Sequence, residues 1–324
     1  MKNICITGAN GFIGYALCKN FSKLNKPVIA AVRSKDTYLD LKSVTSVSIG
    51  EINGNTDWSK ALENCEFVIH CAAKANEVNN RNNYDYYHNI NVAGTKNLAE
   101  QAVKAGVKKL IFLSSIKVNG ENTSNSFIDT FLDKNKDKKF KYNQMPNPKG
   151  PYATSKYQAE VILKNISAKT KLDVTILRLP LVYGYGAKGN LSSLIKLLKF
   201  GIPLPLKSIK NKRSMIGIDN LVDLLSRCLV QHESRNKVFL VSDGEDLSTP
   251  NLIKYISSSI GISVKLFSFP VILLRLISFF LGKTRELKKL SESLEVDNEY
   301  LRKTMNWSPP ICVREGIRRM IFDK

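Results

Sequence analysis

The chain has 324 residues, 43% apolar and 24% charged, a balance typical of a soluble globular protein long enough to bury a sizeable core in one large domain or two. Its 49 Lys+Arg against 28 Asp+Glu leave a net charge of +21, which suits an anionic partner: nucleic acid, a membrane surface or a small anionic substrate. The basic residues are scattered, with one dense run near Asp133–Lys141 and no nucleic-acid motif or aromatic-basic platform, so nucleic acid is excluded as a partner.

The chain opens on Ile4, Cys5 and Ile6, an uncharged apolar run of the kind found in a strand buried on both faces. Gly8, Gly11 and Gly14 follow, and Phe12 and Ile13 start a helical pattern through Ala16, Leu17 and Phe21. Strand, Gly-rich turn and helix N-terminus together make a phosphate site, where backbone N–H groups and the helix dipole meet the negative charge of a dinucleotide. Further strands are expected at Val28–Val32, Val44–Ile49, Phe67–Cys71, Leu110–Leu113, Val174–Leu177 and Val238–Val241. Helical patterns lie between them at Trp58–Leu62, Tyr84–Ala105 and Tyr152–Ala168. This alternation predicts βαβ units and a parallel sheet covered on both faces, with ligands bound beyond the carboxyl ends of the strands.

Asn119–Lys149 is polar throughout and reads as a long loop after the fifth strand. An amphipathic run follows at Leu191–Phe200, and from Leu247 the chain is mainly helical. The expected architecture is an α/β, Rossmann-like doubly wound parallel sheet with a smaller C-terminal substrate-binding lobe. Residues 1–178 form the dinucleotide-binding unit, to which 214–244 return; 179–213 and 245–324 form the lobe. Phe267–Leu281 is the most apolar segment, but Pro270 and Arg275 interrupt it and it is too short to span a bilayer. A core or interface helix is the reading there, with weak association to a membrane surface as the alternative. The cysteines at 5, 18, 65, 71, 228 and 312 form no C-x-x-C pair and read as reduced, buried thiols of a cytoplasmic protein. The N-terminus enters a strand at once, which leaves no room for a signal peptide.

Chemistry is suggested by Ser114–Ser115 at the end of the fifth strand and by Tyr152 and Lys156 opening the next helix, four residues apart and so on one face. A tyrosine normally titrates near pH ~10. A cationic lysine beside it favours the phenolate, so Tyr152 can exchange a proton with a substrate hydroxyl or carbonyl oxygen that Ser115 also holds.

Taken together, these segments resemble the extended short-chain dehydrogenase/reductases, in particular the nucleotide-sugar epimerase/dehydratase branch. The likeness rests on Thr7–Gly14 as cofactor loop, His70-Cys71-Ala72-Ala73, Asn91-Val92-Ala93-Gly94-Thr95, Leu113–Gly120, Tyr152-x-x-x-Lys156 and Arg178–Gly184, in that order along the chain. It implies catalytic Ser115, Tyr152 and Lys156. It also implies a cofactor held by Gly8, Asn10, Gly11, Phe12, Ile13, Gly14, Arg33, Glu51, Ile52, Cys71, Ala72, Ala73, Asn91, Tyr152, Lys156 and Pro180. The implied substrate is a nucleoside-diphosphate sugar, of the UDP-sugar kind, held by Ser115, Lys117, Asn190 and Arg213, with no metal. Family likeness further implies a homodimer formed through the helices at Tyr84–Ala105 and Tyr152–Ala168, with Val92, Ala99 and Val103 on the apolar side of the first.

Two departures bear on the reaction. NAD-preferring relatives carry an acidic residue at the end of the second strand, where this chain has Arg33; a guanidinium there favours a 2′-phosphate and hence NADP, with NAD the alternative. Leu181 stands where the 4-epimerases have a substrate-touching Asn. The expectation is therefore a UDP-4-keto-6-deoxy-N-acetylhexosamine 4-reductase of surface polysaccharide synthesis, resembling the reductases that make UDP-N-acetylquinovosamine. The alternatives are a UDP-glucose or UDP-N-acetylglucosamine 4-epimerase and, more remotely, a non-catalytic NADP-binding regulator. Ile116-Lys117 in place of an Asp-Glu pair argues against a 4,6-dehydratase.

Overall fold

The computed structural model describes residues 3–75, 84–123, 139–187 and 189–322, apart from the side chains of Asn190 and Arg285. Its strands are β1 (Asn3–Thr7), β2 (Val28–Val32), β3 (Val44–Ser48), β4 (Cys65–His70), β5 (Lys109–Ser115), β6 (Asp173–Leu179), β7 (Leu181–Tyr183), β8 (Met215–Gly217) and β9 (Val238–Leu240). Seven of them form one parallel sheet in the order β3-β2-β1-β4-β5-β6-β9. The chain runs outward from β1 to β3, then restarts on the other side of β1 at β4. That reversal opens a crevice beyond the carboxyl ends of β1 and β4.

Alternate residues of each strand face opposite layers, as the two-residue period of a strand requires. Ile4 and Ile6 face one core layer and Cys5 the other; in β5, Ile111 and Leu113 face the first, Leu110 and Phe112 the second. The first layer is closed by α1 (Phe12–Lys23) through Leu17 and Phe21, and by the helix Ile218–Val230 through Leu221 and Leu225. The second is closed by Gly94–Lys104 through Leu98 and Ala102, and by Gly150–Lys169 through Ala159 and Leu163. Each fully buried Leu or Ile of these layers contributes about 1.5–3 kcal/mol relative to exposure.

Three features differ from the sequence-based expectation. Trp58–Leu62 is a turn rather than a helix. Trp58, Ala61 and Leu62 are buried as the apolar pattern demands, but the backbone makes one helical turn there, Leu62 N–H to Trp58 carbonyl, and Trp58 N–H is taken by Gln101 Oε1. The helix expected over 84–105 runs without interruption from Tyr84 to Lys104 but is wound in three parts, α2 (Tyr84–Tyr87), a π turn (His88–Ala93) and α3 (Gly94–Lys104). Such π turns commonly mark functional positions, and this one carries Asn91. Val92 and Ala99, expected on a face open to a partner, are buried inside the chain, Ala99 in the second core layer.

The remaining elements build a smaller lobe. Strands β7 and β8 pair with each other in a separate sheet. The helices Asn190–Lys199, Thr249–Ile260 and Val313–Phe322 pack Leu194, Leu198, Ile253, Ile256 and Ile317 into a third core. Of the expected loop at 119–149, residues 124–138 lie outside the described residues; 119–123 and 139–149 contain no helix, and Phe140 pairs with Val296 of the lobe.

Candidate active site

Two glycines of the first turn are required by contact. Gly8 has φ +62°, and a Cβ there would sit 2.9 Å from the Ala72 Cα. A Cβ on Gly14 would lie 2.2 Å from the Gly8 carbonyl oxygen. The turn therefore packs against its own helix and against the end of β4 with no room for a side chain. Gly11 precedes α1 and supplies no side-chain acceptor to the helix N-terminus, and the first turn of α1 carries no acidic residue. The positive end of α1 thus opens on the crevice at the switch point, which fits a dinucleotide diphosphate. Gly14→Ala is expected to force α1 away from the turn, weakening dinucleotide binding at least about tenfold and lowering the melting temperature; calorimetric titration and thermal unfolding read the two effects.

The floor of this crevice is tied together by a buried relay. Thr95 Oγ donates to the Asn91 carbonyl at 2.6 Å, so its oxygen accepts from His70 Nε2 at 3.0 Å. His70 Nδ1 then accepts from Thr7 Oγ at 2.7 Å, and Thr7 Oγ accepts from the Ala72 N–H at 3.1 Å. Every proton has one place to go, which makes His70 a neutral, Nε2-protonated ring. Burial, and secondarily Lys156, holds its pKa down to about 3. Below the ordinary value of 6.5 the unfolded chain takes up a proton that the native one refuses until about 3. Stability is therefore lost as pH falls from 6.5 towards 3. We expect His70→Asn to be less stable at pH 7 but to lose roughly 2 kcal/mol less than the wild type between pH 6 and pH 4 in urea unfolding.

Asn91 performs a second tie. Its Oδ1 accepts the Lys74 N–H at 2.8 Å, and its Nδ2 reaches the Lys74 carbonyl and Ser155 Oγ at 3.1 and 3.0 Å. Ser155 Oγ in turn donates to the Tyr152 carbonyl at 2.8 Å. The loop after β4 is thereby locked to the helix Gly150–Lys169, which carries Tyr152 and Lys156.

Ser115 ends β5, and Tyr152 lies half-buried at the start of the adjoining helix, where the Ser115 side chain acts on its phenol. Tyr87 packs edge-on against the Tyr152 ring, with centroids 6.3 Å apart. Lys156 is buried with Nζ 4.0 Å from the Phe112 ring centroid, and burial pulls its pKa down to about 7. The expected acidification of Tyr152 by this lysine is not what the structure has. Burial pushes the phenol upward, and the Ser115 side chain opposes that only in part. The reason is competition: Lys156 lies over a ring face and is itself partly discharged by burial.

Behind these residues lies a network that the sequence reading did not pick out. Glu160, one helical turn past Lys156, accepts Ser114 Oγ at 2.5 Å and forms a buried fork with Arg178, whose Nη2 and Nε sit 2.6 and 3.0 Å from its two oxygens. Arg178 Nη1 donates to Asn119 Oδ1 at 2.9 Å. Strand β5, strand β6, the helix Gly150–Lys169 and the loop after Ser115 are thus held in one array. The available signal was the Tyr152, Lys156, Glu160 spacing, which stacks three polar residues on one buried helix face.

The other expected residues fall as follows. Asn10, Gly11, Phe12 and Ile13 form the turn and start of α1, with Phe12 against Gly184 and Gly186 of the lobe. Cys71, Ala72 and Ala73 follow β4, and burial raises the Cys71 thiol. Ile52 packs against Gly94, and Pro180 is buried between β6 and β7. Arg33 and Glu51 form an exposed ion pair at 3.1 Å beyond the ends of β2 and β3. Lys117 N–H donates to Ser115 Oγ at 3.3 Å. Arg213 Nη1 donates to the carbonyls of Lys289 and Glu292 at 3.0 and 3.2 Å, closing the end of the helix Thr284–Ser291. Asn190 begins the helix Asn190–Lys199, and its side chain lies outside the described set. A separate small pocket, lined by Tyr183, Asp219 and Arg319 among others, contains none of the three catalytic candidates.

A family model described as "NAD dependent epimerase/dehydratase family" matches residues 4–242. The chain belongs to that family. Among its relatives is a "UDP-glucose 4-epimerase" of Vibrio cholerae, 36% identical over 325 residues, covering 98% of this chain and 94% of that protein. An Escherichia coli O157:H7 "N-acetyl-alpha-D-glucosaminyl-diphospho-ditrans,octacis-undecaprenol 4-epimerase" is 26% identical over 80% of this chain and 72% of its own. Solved structures share the fold. MoeE5, in complex with UDP-glucose and NAD, superposes with a TM-score of 0.76 at 21% identity, covering 99% of this chain and 97% of that one. Bacillus cereus UDP-glucuronic acid 4-epimerase, in complex with NAD, gives 0.74 at 19% identity, covering 98% and 96%. The protein is thus an enzyme of the short-chain dehydrogenase/reductase type within a nucleotide-sugar family.

Proposed function

We propose that the protein is an NAD-dependent 4-epimerase of a UDP-hexose or UDP-N-acetylhexosamine. The observation that carries this is the placement of Ser115 at the carboxyl end of β5, with Tyr152 and Lys156 one turn apart on the adjoining helix, at the same edge of the parallel sheet as the Gly8–Gly14 turn. NAD, when bound, supplies a reversible hydride acceptor. Gly8, Gly11, Gly14 and the N-terminus of α1 would hold its diphosphate, and the Cys71–Ala73 loop, held by the Thr7–His70–Thr95 relay, would lie under it. Tyr152 Oη takes the proton of the sugar 4-hydroxyl and returns it to the same oxygen after the sugar has presented its other face. Ser115 Oγ holds that oxygen throughout. Lys156, one helical turn from Tyr152, has its pKa lowered by burial to about 7, and burial raises the phenol that must ionise.

Supporting an epimerase over a reductase is the Arg33–Glu51 pair. The guanidinium that suggested NADP is engaged by a carboxylate, and that carboxylate offers an acceptor for ribose hydroxyls. The named activity of the Vibrio cholerae relative agrees. A second reading, the UDP-4-keto-6-deoxy sugar 4-reductase using NADPH, is favoured by the exposed cation of Arg33 and by Leu181 standing 41% exposed at the start of β7. Incubation with UDP-glucose or UDP-GlcNAc and no added reductant decides between them. We expect the galacto epimer to appear. No epimer there, with stoichiometric NADPH oxidation on the 4-keto sugar, overturns the first reading in favour of the second.

A further inference from the structure

The helix Val271–Phe280 packs on the lobe through one side only. Val271 and Leu274 join the third core and Ser278 is buried. The opposite side presents Ile272, Leu273, Leu276, Ile277 and Phe280, at the i, i+1, i+4, i+5, i+8 positions of a single stripe. Phe279 and Phe280 are 70% and 82% exposed, and Leu281 continues the patch. A helix apolar all round is normally enclosed; here half of its apolar surface is turned outward.

A second apolar segment adjoins it. Leu204 pairs with Leu266, and Lys207 N–H donates to the Phe267 carbonyl at 3.2 Å. This brings the turn carrying the exposed Phe200 and Ile202 next to the segment leading into the helix. The charge around the patch is one-sided. Residues 190–212 and 262–291 together contain eleven Lys or Arg and a single acidic residue, Glu286. Lys199, Lys207, Lys210, Lys265, Lys283 and Lys288 are exposed.

We propose that this face docks on the surface of an anionic lipid bilayer, with the Ile272–Leu281 stripe in the headgroup–acyl boundary and the surrounding lysines against lipid phosphates. Charge selects this occupant. Two copies of a chain of net charge +21 meeting through a basic-rimmed patch repel each other, whereas an anionic surface attracts it. Geometry agrees, because the helix has 10 residues, enough to lie in the interface but not to cross it. Among the described residues no helix is long and apolar enough to span a membrane.

The test is co-sedimentation of the full chain with vesicles of phosphatidylcholine alone and of phosphatidylcholine containing phosphatidylglycerol. We expect binding to the anionic vesicles, weakened by salt, and at least about tenfold weaker partition for Phe279→Glu/Phe280→Glu. Lys283→Glu/Lys288→Glu should weaken it in the same direction. Both variants change exposed side chains, so their melting temperatures and their turnover of a soluble nucleotide sugar should match the wild type. The proposal is overturned if anionic vesicles do not retain the wild type at low salt, or if the Phe279→Glu/Phe280→Glu variant binds them equally. It is also overturned if sedimentation velocity shows a dimer that the same substitution dissociates.

Discussion

Tyr152→Phe is expected to lower turnover by roughly 10²–10⁴-fold while leaving dinucleotide affinity within about twofold of the wild type. The substitution deletes one oxygen, the phenolic one, and leaves the ring packed edge-on against Tyr87. The Gly8–Gly14 turn and the His70 relay do not depend on that oxygen. Steady-state rates on the nucleotide sugar, together with a binding titration of the dinucleotide, read the two properties separately. Retained turnover would remove Tyr152 from the chemistry and with it the assignment of acid/base function. Ser115→Ala should show the same split at smaller magnitude, about 10-fold to 10³-fold, because Ser115 holds the oxygen without carrying its proton.

Arg178→Met is expected to cost about 3–5 kcal/mol of stability, measured by urea unfolding. It leaves Glu160 buried with one hydroxyl partner, Ser114, where it now has a bidentate guanidinium fork, and it orphans Asn119 Oδ1. The uncompensated carboxylate in that site, rather than the lost attraction, sets the cost. The double change Glu160→Gln/Arg178→Met should be less damaging than the sum of the two singles, because the amide is neutral and can still accept from Ser114. Additive losses would mean that the two side chains act independently, contrary to their geometry. Since Glu160 lies one turn from Lys156 and Ser114 is next to Ser115, the single variant should also lose activity under conditions where it remains folded.

Much of the site was legible because its signals are local. The Gly8, Gly11, Gly14 spacing specifies a turn whose backbone must pass close to a helix and a ligand, and the structure shows two of those positions closed by contacts of 2.9 and 2.2 Å. Tyr152 and Lys156 share a helix face by spacing alone, and Ser115 ends a strand whose apolar run is readable residue by residue. The alternation of strands and helices gave the parallel sheet for the same reason. The relay Thr7–His70–Thr95–Asn91 was not legible, because its members come from three elements and each by itself is an ordinary polar residue. The Ser114–Glu160–Arg178–Asn119 array was hidden in the same way.

Three readings depend on surroundings that a sequence does not carry. Arg33 stood as an isolated cation in the sequence and is paired with Glu51 in space, both side chains staying in solvent. Lys156 was expected to acidify Tyr152, yet burial acts on both groups and in opposite senses, raising the phenol and lowering the ammonium. Arg213, expected to hold the substrate, has its Nη1 engaged by the carbonyls at the end of the helix Thr284–Ser291.

By itself the sequence determined the periodic and the adjacent: which runs are strands, where the glycine turn falls, and that a tyrosine and a lysine lie one helical turn apart. These depend on backbone geometry within a few residues, which any folded state of the chain must respect. Only the tertiary structure decided which charges are paired, which histidine nitrogen carries the proton, and which apolar helix is left half uncovered. Those outcomes depend on burial and on partners scores of residues away, and the free energy of a charge or an apolar face is set by what surrounds it.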